Sequence, residues 1–184
     1  MNHRINVAAG SVNQTPLDWE GNRDRIISTI DAAAEGGAKI ICLPELAITG
    51  YGCEDMFLAP EVGERAISTL IDLVPHSKGL VVAVGLPVWL QSSVCNAVAL
   101  LVDGEIAGFV CKQNLAGDGL HYETRWFKPW PEGVVDTVVI SENSYPIGDL
   151  IFDIDHVRIG FEICEDAWVA ERPGVRLARR GIDL

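Results

Sequence analysis

Three reactive side chains each follow a strand-like run of this sequence. Glu45 lies in Leu-Pro-Glu-Leu after the run 39–43, Lys112 follows 106–111, and Cys164 follows 157–163 in Glu-Ile-Cys-Glu-Asp-Ala-Trp. Layered α/β folds tend to place functional groups on the loops that leave their strands. A free thiol, with a pKa of about 8.5, is mostly protonated at neutral pH and needs a base or a nearby cation. A glutamate can take that proton. A lysine can favour thiolate and carboxylate, and then steady the oxyanion when a substrate carbonyl is attacked. The set suits acyl transfer through a thioester and requires neither histidine nor metal. Taken singly, each residue has a plainer explanation: an inert buried thiol, a solvated lysine, a carboxylate capping a turn. Only their shared position after successive strands favours chemistry.

The elements that would carry them alternate. Residues 5–9 read as a first strand. Ile26, Ile27, Ile30, Ala33 and Ala34 fall on one face of a helix over 22–35, which Gly36-Gly37 stops. The run 39–43 reads as a second strand. Ile67, Leu70, Ile71 and Val74 form the stripe of a second helix over 60–74, and the apolar run 80–88 reads as a buried strand. Strands at 95–102 and 106–111 flank Asp103-Gly104, a strong hairpin signal. A strand is expected at 136–140, a hairpin over 150–153 and 157–163 turning at Asp155-His156, and a last helix at 172–180. Two β-α-β stretches followed by hairpins predict an α/β domain with a mixed sheet. The closing Gly181-Ile-Asp-Leu reads as the opening of a strand, so the expectation is a domain that continues beyond it.

Composition narrows the partners. The 184 residues hold 14 Lys and Arg against 26 Asp and Glu, a net charge of -12 that argues against nucleic acid or anionic lipid. The longest apolar stretch, 80–90, contains Gly85 and Pro87 and falls short of the ~20 residues a membrane span needs. The start of the chain lacks the apolar core of a signal peptide. The five cysteines form no Cys-x-x-Cys pair; Cys42, Cys95 and Cys111 sit in apolar runs and read as small buried hydrophobes. A reducing cytoplasm fits this usage best. The four histidines show no metal-ligand spacing. Trp126, Phe127, Trp130 and Trp168 are expected to pack, or to wall a pocket.

Three blocks in this order, Leu-Pro-Glu-Leu-Ala-Ile-Thr-Gly-Tyr at 43–51, Lys-Gln-Asn-Leu at 112–115 and Glu-Ile-Cys-Glu-Asp-Ala-Trp at 162–168, resemble the catalytic blocks of the nitrilase, or carbon-nitrogen hydrolase, superfamily. Residues 17–22, 50–55 and 123–130 look like the glutaminase domain of glutamine-dependent NAD(+) synthetases. The resemblance runs from residue 4 to the end. It implies an α-β-β-α sandwich with mixed sheets, one hydrolase domain over 1–184 that lacks its last strands, and a synthetase domain outside this chain. It implies Cys164 as nucleophile, Glu45 as general base and Lys112 on the oxyanion side. Glu123 matches a second, supporting glutamate, and Tyr51 and Glu165 match positions that hold glutamine. The resemblance also implies no cofactor for the hydrolase domain, and ATP and Mg for the synthetase domain. Glutamine, that domain and further copies of the chain are the expected partners. A nitrilase-like amidase on another small amide, or an inactive interaction module, are the alternatives.

Overall fold

A computed structural model describes residues 4–119 and 121–184. In chain order the elements are β1 (Val7–Ala9), α1 (Trp19–Glu35), β2 (Ile40–Cys42), α2 (Pro60–Leu73), β3 (Val81–Leu90), β4 (Ser93–Val102) and β5 (Glu105–Cys111). Then follow α3 (Glu123–Trp126), β6 (Val135–Ile140), β7 (Asn143–Gly148), β8 (Phe152–Ile154), β9 (Val157–Ile159) and α4 (Pro173–Arg179). Seven strands form one mixed sheet in the order β1-β2-β3-β4-β5-β7-β6, and β8-β9 form a separate antiparallel pair. The first three strands run parallel, and β3, β4 and β5 are joined antiparallel.

The central strands read as unbroken apolar runs because both faces are covered. Successive side chains point to opposite faces, and the two sets find different partners. Ile41, Val82, Val84 and Leu86 pack with Ile26 and Ile30 of α1 and with Ala66, Leu70 and Leu73 of α2. Ile40, Val81, Ala83, Val98 and Leu100 pack instead with Ile159 and the hairpin residues Phe152, Ile154 and Val157. The layers are therefore helices, large sheet and small hairpin. Beyond the hairpin, Leu177 of α4 lies against Gly160, where a Cβ would meet its methyls at 3.0 Å. The mixed α/β architecture is the one expected from the strand and helix pattern.

Differences from the expected elements have local causes. Helix α1 begins three residues earlier than the expected start at 22, because the Asp18 side chain caps it by accepting from Gly21 N–H. Strand β7 is absent from the sequence reading because it contains Pro146. Its parallel pairing with β5 covers only Phe109–Ile147 and Val110–Gly148, so the missing N–H of Pro146 breaks no ladder bond to that strand. The last hairpin does turn at Asp155-His156, both left-handed (φ 49° and 69°), but its strands are shorter than expected. Residues 182–184 do not form a strand, although Asp183 and Leu184 N–H donate to Arg158 O and Leu184 O accepts from Gly160 N–H. Cys42 is exposed rather than buried, whereas Cys95 and Cys111 lie in the core as expected. Among the described residues no helix is long and apolar enough to cross a membrane.

Candidate active site

Glu45 sits on a tight turn that leaves β2 and folds back on β3. Leu43 N–H donates to Ala83 O at 2.8 Å, Ala47 N–H to Pro44 O at 3.2 Å, and Ile48 N–H to Gly85 O at 3.1 Å. A Cβ at Gly85 would lie 2.3 Å from Leu46 N and 2.6 Å from Pro44 O, so only glycine lets this turn rest on the strand. The turn also holds Leu46 at a φ of 51°. It places the Glu45 carboxylate over the end of β5.

Lys112 is the first residue past β5. Its backbone N–H donates to Asn96 O at 2.8 Å, and its carbonyl accepts from Trp130 N–H at 3.0 Å. The side chain is buried, with 1% of the residue exposed. Its Nζ lies 2.6 Å from Glu45 Oε1 and 2.8 Å from Glu123. Glu123 opens α3 and is fully buried; Oε1 accepts the Tyr51 hydroxyl at 2.7 Å and Oε2 accepts Ala116 N–H at 2.9 Å. His121 Nδ1 meets the same Tyr51 hydroxyl at 3.1 Å. One ammonium thus lies between two carboxylates. Burial works against the Lys112 charge, but Glu45 and Glu123 outweigh it and hold its pKa above the usual lysine value. The ammonium keeps its proton at any physiological pH, so it supplies charge rather than base. Burial and the Glu123 carboxylate push the Tyr51 phenol up, which leaves it a hydrogen-bond donor.

Cys164 starts a 3-10 turn over Cys164–Ala167 with a φ of 50°, in the left-handed region that L residues rarely occupy. The residue is exposed, unlike the two glutamates and lysine behind it. Burial of the sulfur raises the thiol pKa first, and the Glu45 and Glu123 charges raise it further against the opposing pull of Lys112. The thiol therefore rests protonated near neutral pH and depends on a base to become a nucleophile. Of the two carboxylates whose charge acts on the thiol, Glu45 acts the more strongly.

Four expected site residues, Glu45, Lys112, Glu123 and Cys164, thus come together, with Tyr51 bonded to the second glutamate. Glu165 does not join them: among the described residues its side chain makes no hydrogen bond or ion pair. Cys164 follows the end of β9 by five residues, because the strand stops at Ile159 instead of continuing to 163. Phe127 and Trp130 are buried as expected, but Trp168 is 81% exposed. No group of three His, Cys, Asp or Glu among the described residues is arranged to hold a metal ion.

The sequence profile of the carbon-nitrogen hydrolase family matches residues 6–184, nearly the whole chain. The chain belongs to the carbon-nitrogen hydrolase family. Like other members it is an enzyme that acts on amide-type carbon–nitrogen bonds. A glutamine-dependent NAD(+) synthetase of Saccharomyces cerevisiae is 34% identical over the full chain, which spans 27% of that protein. The crystal structure of a glutamine-dependent NAD(+) synthetase from Cytophaga hutchinsonii superposes with a TM-score of 0.86 at 43% identity, covering 88% of this chain and 28% of that one. An amidase from Nesterenkonia sp. shares the fold, with a TM-score of 0.59 at 22% identity over 76% of this chain and 53% of its own.

Within this carbon-nitrogen hydrolase, two buried polar residues were missed by the sequence reading. Asp166 is 2% exposed. Its Oδ1 accepts Asn114 N–H at 2.7 Å, Asn114 Nδ2 at 2.9 Å and Gln113 N–H at 3.2 Å, and Oδ2 accepts Ile163 N–H at 3.1 Å. It ties the segment after Lys112 to the turn that carries Cys164, fixing the two halves of the site to one another. Asn96, on β4, donates from Nδ2 to Glu45 Oε1 at 2.7 Å. Its signal was present in the sequence: it is the one strongly polar residue in the apolar run 94–101. Asp166 carried a weaker signal, being one of two adjacent acids after the cysteine.

Proposed function

We propose that this chain hydrolyses the side-chain amide of glutamine through a thioester on Cys164, and that the ammonia supports ATP-dependent NAD(+) synthesis by a separate synthetase domain. The observation that carries the reading is the buried Lys112 ammonium hydrogen-bonded to both Glu45 and Glu123 behind an exposed cysteine whose thiol rests protonated. Glutamine as substrate, and NAD(+) synthesis as its use, are supported by the names of the similar yeast and Cytophaga proteins, of which this chain matches about a quarter.

Glu45 takes the proton of Cys164 as the sulfur attacks the amide carbon. Negative charge then builds on the amide oxygen. Lys112 has three N–H donors, two engaged by carboxylates, so one remains to meet that oxygen. Glu45 returns the proton to the amide nitrogen, the carbon–nitrogen bond breaks and ammonia leaves. Water then attacks the thioester. Glu45 takes a water proton and hands it to the departing sulfur, and glutamate is released with the thiol restored. Glu123, which takes a hydrogen bond from Lys112, positions the lysine throughout.

The experiment is covalent capture. The protein is incubated with a diazoketone analogue of glutamine and its intact mass recorded, while ammonia release from glutamine is followed in parallel. The expected result is one adduct, absent in Cys164→Ala and suppressed by excess glutamine. An adduct on another residue, or one that glutamine does not suppress, would overturn the glutamine assignment.

A further inference from the structure

We infer that Asn96 is a positioning residue that turns Glu45 into a base with a single working oxygen. The inference rests on Glu45 being the base. Two donors converge on Glu45 Oε1, Lys112 Nζ at 2.6 Å and Asn96 Nδ2 at 2.7 Å. Among the described residues nothing donates to Oε2, and Oε2 is not among the buried unpartnered atoms. A proton from the thiol therefore goes to Oε2, because the lone pairs of Oε1 are taken.

The amide orientation follows from the same contacts. With the side chain turned over, Asn96 Oδ1 and Glu45 Oε1 would be two acceptors at hydrogen-bond distance. The orientation present keeps the donor on Glu45 but leaves Asn96 Oδ1 buried without a partner. Asn96 is 1% exposed and flanked by Cys95 and Ala97, where an apolar residue would avoid that loss. A purely structural strand residue has no reason to carry an amide here. The backbone of the same residue acts on the other partner, since its carbonyl accepts Lys112 N–H at 2.8 Å. Asn96 thus grips the base with its side chain and the lysine strand with its main chain, and so sets the distance between them.

A donor to a carboxylate favours its ionised form. The groups that act on Glu45 besides Asn96 are Lys112 from β5, Cys164 from its turn and Tyr51 from the loop after β2, with Glu123 on α3 reached through Lys112. Removing the Asn96 donor leaves those in place, so its effect can be read separately. Without it Lys112 is the one donor left on Glu45 Oε1 among the described residues.

The test is the rate of Cys164 alkylation by chloroacetamide from pH 4 to 8, a reagent that makes no demand on glutamine recognition. Wild type, Asn96→Leu, Asn96→Asp and Glu45→Gln are compared, with thermal melts on each. The acidic limb is expected to move up by about half to one pH unit in Asn96→Leu and further in Asn96→Asp, where a second carboxylate faces Glu45. Should Asn96→Asp fail to fold, Asn96→Ser, which keeps a shorter donor, is expected between wild type and Asn96→Leu. A folded Asn96→Leu or Asn96→Ser whose rate falls equally at every pH, with the limb unmoved, would overturn the inference. If Glu45→Gln itself keeps the wild-type limb, it is the role of Glu45 in the proposed function that fails.

Discussion

Lys112 and Glu123 are almost completely buried and joined to Glu45, Tyr51 and Ala116 by short hydrogen bonds, whereas Cys164, facing them, is exposed and held at a left-handed φ on a single turn. The lysine side grows out of β5, an inner strand of the seven-stranded sheet. The cysteine side follows a two-stranded hairpin and is fixed largely through Asp166. The difference matches what each side must do in the proposed reaction. Charge stabilisation works best when its dipoles are already fixed and dry, with no reorganisation left for the reaction. A nucleophile must be reached by substrate and then by water, so it cannot be sealed in. The cost of the two designs also differs. A buried lysine between two carboxylates is part of the fold, while the cysteine is held by few contacts and contributes little to stability.

Substitutions at the two sides should therefore separate activity from stability. Cys164→Ala is expected to give the largest loss of turnover, on the order of 10⁶-fold, with almost no change in melting temperature. Lys112→Met should abolish turnover too, but it leaves two carboxylates without their cation, and breaking a buried pair costs about 3–5 kcal/mol. For a chain of this size that is a melting temperature lower by roughly 10 °C, measured by circular dichroism. Equal melting temperatures for these two variants would break the comparison. Glu45→Gln is expected to lower turnover at pH 7 by about 10²–10⁴-fold. Its remaining alkylation should climb with pH into the alkaline range, because the raised thiol must then ionise unaided. A flat pH profile in that variant would show that the thiolate is already present at rest.

Smaller effects sharpen the link between the two sides. Asp166→Asn keeps the shape but replaces an acceptor of backbone N–H groups by an amide, at a cost of about 1–3 kcal/mol. It should lower kcat more than it raises KM, since it shifts cysteine against lysine rather than removing a binding contact. The smallest effect is expected at Asp55, whose exposed carboxylate takes hydrogen bonds from Arg125 and Trp126. Those bonds hold its carboxyl below the usual carboxylate range. With the folded value depressed, any stability it adds is present above about pH 4 and fades as the pH falls toward the folded value. Asp55→Asn should leave turnover and the neutral-pH melt unchanged within error, and reduce only the acid sensitivity of the melt.

The large sheet was legible in the sequence because its core strands are apolar and its turns carry Asp-Gly or paired glycines. Strand β7 was not, since Pro146 argues against a strand unless the partner strand is known. Glu45, Lys112 and Cys164 were legible because each follows a strand-like run. The burial of Glu123 was not, because α3 is a single turn whose depth depends on contacts with Ala116 and Tyr51 far from any local pattern. Asp166 and Asn96 bind across 52 and 51 residues of sequence, and such pairings exist only once the strands are in register. Trp168 departs the other way: of its two expected places, packing or a pocket wall, packing is excluded by its 81% exposure.

The thioester on Cys164 is tested most simply by quenching the protein with acid during glutamine turnover and mapping the acyl group by peptide mass. A glutamyl thioester is expected on the peptide containing Cys164, formed by wild type and accumulating in a variant slowed at the water step. Ammonia released with no acyl group on that cysteine, or with the acyl group on another residue, would contradict it.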